Sequence, residues 1–231
     1  MLKDIKLDLE KLSNPEKAKI YQRFFKTGKG EYGEGDVFIG LTVPEQRELA
    51  KKYVDLRFEE IKELISDRIY EHRLTALLVL VYKFEKANEK QKKEIVDFYL
   101  KNLKYSNNWG LIDCVADKIL GSYLMDKNKE ILYKFAESKD LWERRIAIIS
   151  TFTFIKNNRF EDTLKISKIL LKDKHDLIHK AVGWMLREIG KRDQKVLEKF
   201  LLKYHKEMPR TMLRYAIERF DEDKRRFYLR K

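Results

Sequence analysis

The chain has 231 residues, 43% of them hydrophobic and 39% charged, so it can pack an interior beneath a solvated surface and disorder is excluded as its main state. Its formal charge of +13 points to an anionic partner, most commonly nucleic acid for a basic protein. The single cysteine, Cys114, excludes an internal disulfide or a thiolate metal cluster and fits a reducing cytoplasm, while no run approaches the roughly 18 apolar residues of a membrane span and no leader-like apolar segment follows Met1.

In chain order, Ser13-Asn14-Pro15-Glu16 predicts a first clear helix start with Pro in the opening turn. Five of the nine glycines (Gly28, Gly30, Gly33, Gly35, Gly40) then fall in one short stretch, which reads as a flexible loop whose Lys26 and Lys29 can approach phosphate. Thr42-Val43-Pro44-Glu45 starts the next helix, and Leu74, Leu77, Leu78, Val81 and Phe84 repeat at the three-and-four spacing of a buried helical stripe. Asn88-Glu89 marks another start, and Ser106, Asn107 or Asn108 caps the helix that opens at Trp109. Ile166, Ile169 and Leu170 continue the helical period, with stops expected at Lys172-Asp173-Lys174 and Gly190. About fourteen helices of roughly 10 to 18 residues and no strand account for the pattern.

Charged residues that open apolar helices recur at Arg73, Asp113, Arg145, Lys180 and Arg214, at intervals of 40, 32, 35 and 34 residues. This lies near the roughly 40-residue helix-pair period of HEAT-type arrays. The expected fold is therefore all-α, a HEAT-like repeat array of about six to seven helix pairs forming one domain over 1–231, with a basic concave face that meets phosphates in successive repeats.

Three segments carry candidate chemistry. In Trp109-Gly110-Leu111-Ile112-Asp113 the indole and the carboxylate are four apart and share a helix face. Two readings fit: a ligand-facing pair, or a core tryptophan beside an aspartate paired with an arginine of the next repeat. In Trp142-Glu143-Arg144-Arg145-Ile146-Ala147-Ile148, Trp142 and Arg145 share a face. So do Lys180, Trp184 and Arg187 in Lys180-Ala181-Val182-Gly183-Trp184-Met185-Leu186-Arg187-Glu188. All three tryptophans of the chain thus stand within a turn of a charge, a pattern that favours an aromatic pocket among ions over three coincidences of packing.

Taken in order, these segments resemble the motifs of the AlkD-type DNA alkylation-repair family, and the stretch Phe25 to Gly40 resembles one branch of it; the likeness runs over roughly residues 10 to 220. The resemblance implies a HEAT-like fold and hydrolysis of the N-glycosidic bond of N3- and N7-alkylated purines, such as 3-methyladenine and 7-methylguanine, in duplex DNA. It also implies Asp113 as the catalytic carboxylate, Trp109 and Trp184 at the lesion nucleotide, and Arg145 and Arg187 on the backbone, with the neighbouring Arg144 and Lys180 as further DNA-binding cations. An N-alkylated purine leaves as a good leaving group, so the main task is to stabilise an oxocarbenium-like sugar, which a carboxylate performs electrostatically while orienting water. Position 110 departs from the family: it is Gly where members often carry an acid, in a helical turn that disfavours glycine.

Other motifs fail their context. Gly28-Lys29-Gly30-Glu31-Tyr32-Gly33 matches GxGxxG but follows no strand. His175-Asp176-Leu177-Ile178-His179 resembles HExxH but lacks a third ligand, and the basic C-terminal run reads as solvated charge. The expectation is a metal-free, cofactor-free, cytoplasmic, nucleoid-associated monomer acting on duplex DNA away from membranes, against two rivals: a non-catalytic HEAT-repeat DNA binder and a HEAT-type protein scaffold.

Overall fold

The computed structural model describes residues 1–230. The chain divides into two compact units, Met1–Val115 and Ala116–Lys231. Among the described residues every regular element is helical, and the one bridge of strand type is an isolated parallel pair, Val37 with Ile69.

The first unit holds α1 (Leu2–Lys11), α2 (Pro15–Phe24), α3 (Val43–Lys52), α4 (Phe58–Ile65), α5 (Tyr70–Lys86), α6 (Glu89–Lys101) and α7 (Trp109–Asp113). Its centre is α5, whose residues Leu74 to Val81 are almost wholly buried and which packs on α3 and α4. Burying a side chain of this size contributes roughly 1.5–3 kcal/mol. The helix starts follow the local chemistry read from the sequence. Asn14 caps α2 by accepting from the Lys17 amide at 3.0 Å with Pro15 in the first turn; Thr42 and Glu45 form a capping box on α3, and Asn88 and Gln91 another on α6.

The second unit holds α8 (Ser122–Leu124), α9 (Glu130–Ala136), α10 (Leu141–Ser150), α11 (Phe152–Lys156), α12 (Glu161–Ile169), α13 (Asp176–Gly190), α14 (Gln194–Tyr204), α15 (Arg210–Ala216) and α16 (Glu222–Leu229). Here α10 packs on α9 and α13, and α13 packs on α15 and α14, so helices one repeat apart stack in sequence as in a helical-repeat fold. A π-helical turn, Asp117–Gly121, precedes α8. Gly121 passes so close to α10 that an added Cβ would stand 2.2 Å from the Ser150 carbonyl oxygen.

Two expectations need correction. Several helices are shorter than 10 residues, α7, α8, α9, α11 and α15 among them, because breaks occur at Thr151 and around Cys114 to Ala116 without Gly or Pro to announce them. Four of the five recurrent charged residues also do not open their helices, Arg73 alone lying in the first turn of its own, α5. Arg145 lies in the second turn of α10, Lys180 in that of α13 and Arg214 in that of α15, while Asp113 closes α7; the caps upstream are Asp140, His175, Pro209 and Asn108.

Candidate functional site

In the first unit the site is built around α7. Asn108 is its N-cap: Oδ1 accepts from the Gly110 amide at 3.2 Å, and Nδ2 donates to Asp36 Oδ2 at 3.3 Å. The other oxygen of Asp36 accepts from Arg73 of α5 at 2.6 Å, and both partners of this ion pair are buried. A buried charge pair is costly to desolvate and severe to break from one side, so it holds the Gly-rich segment, α5 and the start of α7 in one register.

The same segment corrects the flexible-loop reading. Val37 N donates to Arg68 O at 3.2 Å and Tyr70 N to Val37 O at 2.8 Å, while the Ile39 and Gly40 amides donate to the Glu71 carboxylate at 3.1 and 2.8 Å. Burial nonetheless raises the Glu71 carboxyl above its usual range. The amides of Gly28 and Gly30 are already taken by Glu31 Oε2 at 2.9 Å and Glu34 Oε2 at 2.8 Å, so the loop's own carboxylates stand where a bound anion would.

Trp109 is half-buried. Its ring stacks on Phe25 at 4.9 Å between centroids and meets Phe24 edge-on at 5.8 Å, and its Nε1 donates to Tyr32 Oη at 3.0 Å. Phe25 in turn stacks on Phe38, and Phe38 on Tyr70. This aromatic column comes from α2, the Gly-rich segment and α5, and it sets the plane of the indole. Gly110 is required by the same column: an added Cβ would stand 2.2 Å from Tyr70 Oη and 3.2 Å from Phe25 Cε1. Tyr70 is buried, which pushes its phenol well above the ordinary value and keeps the hydroxyl neutral. Asp113, at the end of α7, is partly exposed.

In the second unit the arginines expected on DNA have internal partners. Arg144 Nε donates to Asp173 Oδ2 at 2.6 Å and its NH1 to the carbonyls of Ser138 and Lys139, each at 2.9 Å. Arg145 is 5% exposed, and its NH1 donates to Leu177 O at 2.5 Å, tying α10 to the first turn of α13. Arg187 pairs with Glu218, and the half-exposed Lys180 with Asp176 at 2.8 Å. Trp184 is half-buried and lies 5.7 Å from Phe152, ring to ring.

The histidines set aside as zinc ligands have local roles. His175 Nδ1 accepts from the Leu177 amide at 3.2 Å as the N-cap of α13, and burial lowers its pKa; His179 Nε2 donates to Asp173 O at 2.5 Å. No group of three His, Cys, Asp or Glu side chains that could hold a metal occurs among the described residues. Sequence reading missed Asp36, Tyr32, Phe25, Tyr70 and Phe152. Their types are ordinary, and only tertiary contact brings them to the tryptophans.

The sequence matches the family model described as DNA alkylation repair enzyme over residues 5–220. Among solved structures, a predicted DNA alkylation repair enzyme from Enterococcus faecalis superposes with a TM-score of 0.70 at 17% identity, covering 91% of this chain and 97% of that one. AlkD2 from Streptococcus mutans gives 0.60 at 17% identity, with 88% and 99% covered, and smu.31 from Streptococcus mutans UA159 gives 0.56 at 20% identity, with 78% and 93% covered. No curated protein matches the sequence. These likenesses agree on the helical-repeat fold, and the match of the family model over nearly the whole length shows that the chain belongs to the DNA alkylation repair enzyme family.

Proposed function

We propose that this family member is a DNA glycosylase that hydrolyses the N-glycosidic bond of N3- and N7-alkylated purines in duplex DNA. The observation that carries the reading is the construction of α7. A five-residue helix is too short to be stable by itself, yet its start is locked by the Asn108–Asp36–Arg73 network, so that Trp109 and Asp113 sit at fixed positions one turn apart.

In this reading Asp113 faces the sugar of the lesion nucleotide. As the bond to the cationic purine breaks, positive charge grows at the anomeric carbon, and a fixed carboxylate lowers that barrier more than it lowers the ground state. The same carboxylate orients the water that adds to the sugar. One face of Trp109 is covered by Phe25; the half-exposed remainder offers the developing cation an indole quadrupole, worth on the order of 0.5–2 kcal/mol. In the second unit, Trp184 offers DNA an aromatic face of its own. The internal partners of Arg144 and Arg145 make their first task the stacking of α10 on α13, while Lys180, the most exposed of the four, and Arg187 meet phosphate from α13. No step calls for a metal or an organic cofactor.

The reading is tested by incubating the chain with a duplex oligonucleotide bearing one 7-methylguanine and measuring free base by chromatography, with 3-methyladenine and unmodified guanine in parallel. Release of alkylated base above spontaneous depurination supports it. Duplex binding with no release from either lesion overturns it in favour of a non-catalytic DNA binder.

A further inference from the structure

The second unit contains a cation next to its half-buried aromatic pair that neither periodicity nor the family likeness singled out. Asp117 opens the π turn and is 2% exposed. Its Oδ2 accepts from Lys156 Nζ at 2.9 Å and its Oδ1 from Lys118 Nζ at 3.1 Å. The π turn shifts hydrogen bonding by one residue, with Gly121 N bonded to Ala116 O at 3.0 Å. The Asp117 carbonyl accepts from the Ser122 amide and is also met by Thr153 Oγ1 at 2.6 Å and Ser122 Oγ at 3.2 Å. The backbone of the residue whose carboxylate holds Lys156 is therefore itself held from α11 and α8.

Lys156 is aimed by two contacts, the Asp117 carboxylate and the face of Phe152, 4.8 Å from its ammonium. Its side chain is 41% exposed. An ammonium carries three donors, and Asp117 takes one of those of Lys156. Phe152 in turn lies against Trp184, whose indole N–H is a further donor. Aimed ammonium donors, an indole donor and two half-exposed rings thus adjoin one another across α11 and α13. This is the chemistry of a nucleotide: oxygens of a phosphodiester for the donors, sugar and base for the rings. Arg144 and Arg145, two of the cations that sequence reading favoured, spend donors on internal carbonyls and on Asp173.

We propose that Lys156, Phe152 and Trp184 form a nucleotide subsite in which the Lys156 ammonium binds a backbone phosphate and Asp117 positions it. The proposal rests on the reading of the chain as a duplex-DNA enzyme and adds a phosphate contact to it.

The test is the salt dependence of binding to a lesion-bearing duplex. Each phosphate contact contributes about 0.9 to the slope of log K against log salt. Lys156→Gln is expected to reduce the slope by about one such contact, so that the affinity ratio of wild type to variant narrows about 3.5-fold between roughly 50 and 200 mM salt. Lys156→Arg is expected to restore the slope. Because Lys156→Gln leaves Asp117 buried with one cation fewer, Asp117→Asn with Lys156→Gln is measured as well, and the same reduced slope is expected. Lys165→Gln, at a surface pair with Glu161, is expected to leave the slope at the wild-type value. An unchanged slope in both Lys156→Gln chains, or an equal fall in Lys165→Gln, overturns the subsite while leaving the enzyme reading intact. A wild-type chain that does not bind duplex DNA overturns both.

Discussion

The hydroxyl of Tyr70 occupies the space that a side chain on Gly110 would enter, with 2.2 Å between Tyr70 Oη and the position of an added Cβ. Glycine is disfavoured in a helical turn, yet here it is the residue that lets α7 close on the aromatic column. The glycine at 110 is thus coupled to the phenol at 70. Gly110→Ala is expected to destabilise the chain by about 1–3 kcal/mol through overpacking. In a Tyr70→Phe background the cost should fall below about 1 kcal/mol, since the remaining contact with Phe25 needs to give only slightly and alanine gains helix propensity. A double-mutant cycle by denaturant unfolding reads the coupling; additive effects would contradict it.

The Asp36–Arg73 pair is the second support of α7. Asp36→Ala leaves a buried guanidinium without its carboxylate and deprives Asn108 of its acceptor, for an expected loss of about 3–5 kcal/mol. Asn108→Ala removes the cap and the hydrogen bond to Asp36 but leaves the Asp36–Arg73 pair, and should cost about 1–3 kcal/mol. If α7 positions Asp113 for chemistry, Asn108→Ala should also slow base release in single-turnover kinetics while duplex affinity stays near the wild-type value.

These supports show what the sequence made legible. The caps at Asn14, Thr42, Asn88 and Asn108 follow from short-range hydrogen bonding, and the buried stripe of α5 follows from period, so helix type and several starts could be read directly. Asp173, Leu177 and Glu218, which meet Arg144, Arg145 and Arg187, arrive from 29 to 32 residues away, and helical period gives a side chain's face but not what meets it there. The Gly-rich segment illustrates the same limit. Its glycines signal freedom, whereas Glu71 and Arg73, one repeat later, hold Asp36 to Gly40 in place.

The N-cap of α13 carries a pH dependence. His175 must be neutral at Nδ1 to accept the Leu177 amide, and burial lowers its pKa below the ordinary value. A depressed folded pKa contributes stability that is present above the unfolded pKa, about 6.5, and lost as pH falls through the folded one. Thermal unfolding between about pH 7.5 and 5 should therefore show wild type losing more stability on acidification than His175→Asn, whose side chain caps without titrating. Parallel curves for the two chains would contradict this role.

The central claim is that Asp113 performs the chemistry. The most direct measurement is single-turnover release of 7-methylguanine from a duplex by wild type and by Asp113→Asn, at equal DNA occupancy and corrected for spontaneous depurination. Loss of a fixed electrostatic stabiliser typically costs about 10²–10³ in rate, so Asp113→Asn should bind the lesion duplex and release base at least a hundredfold more slowly. Release by Asp113→Asn at the wild-type rate would contradict the assignment of the carboxylate.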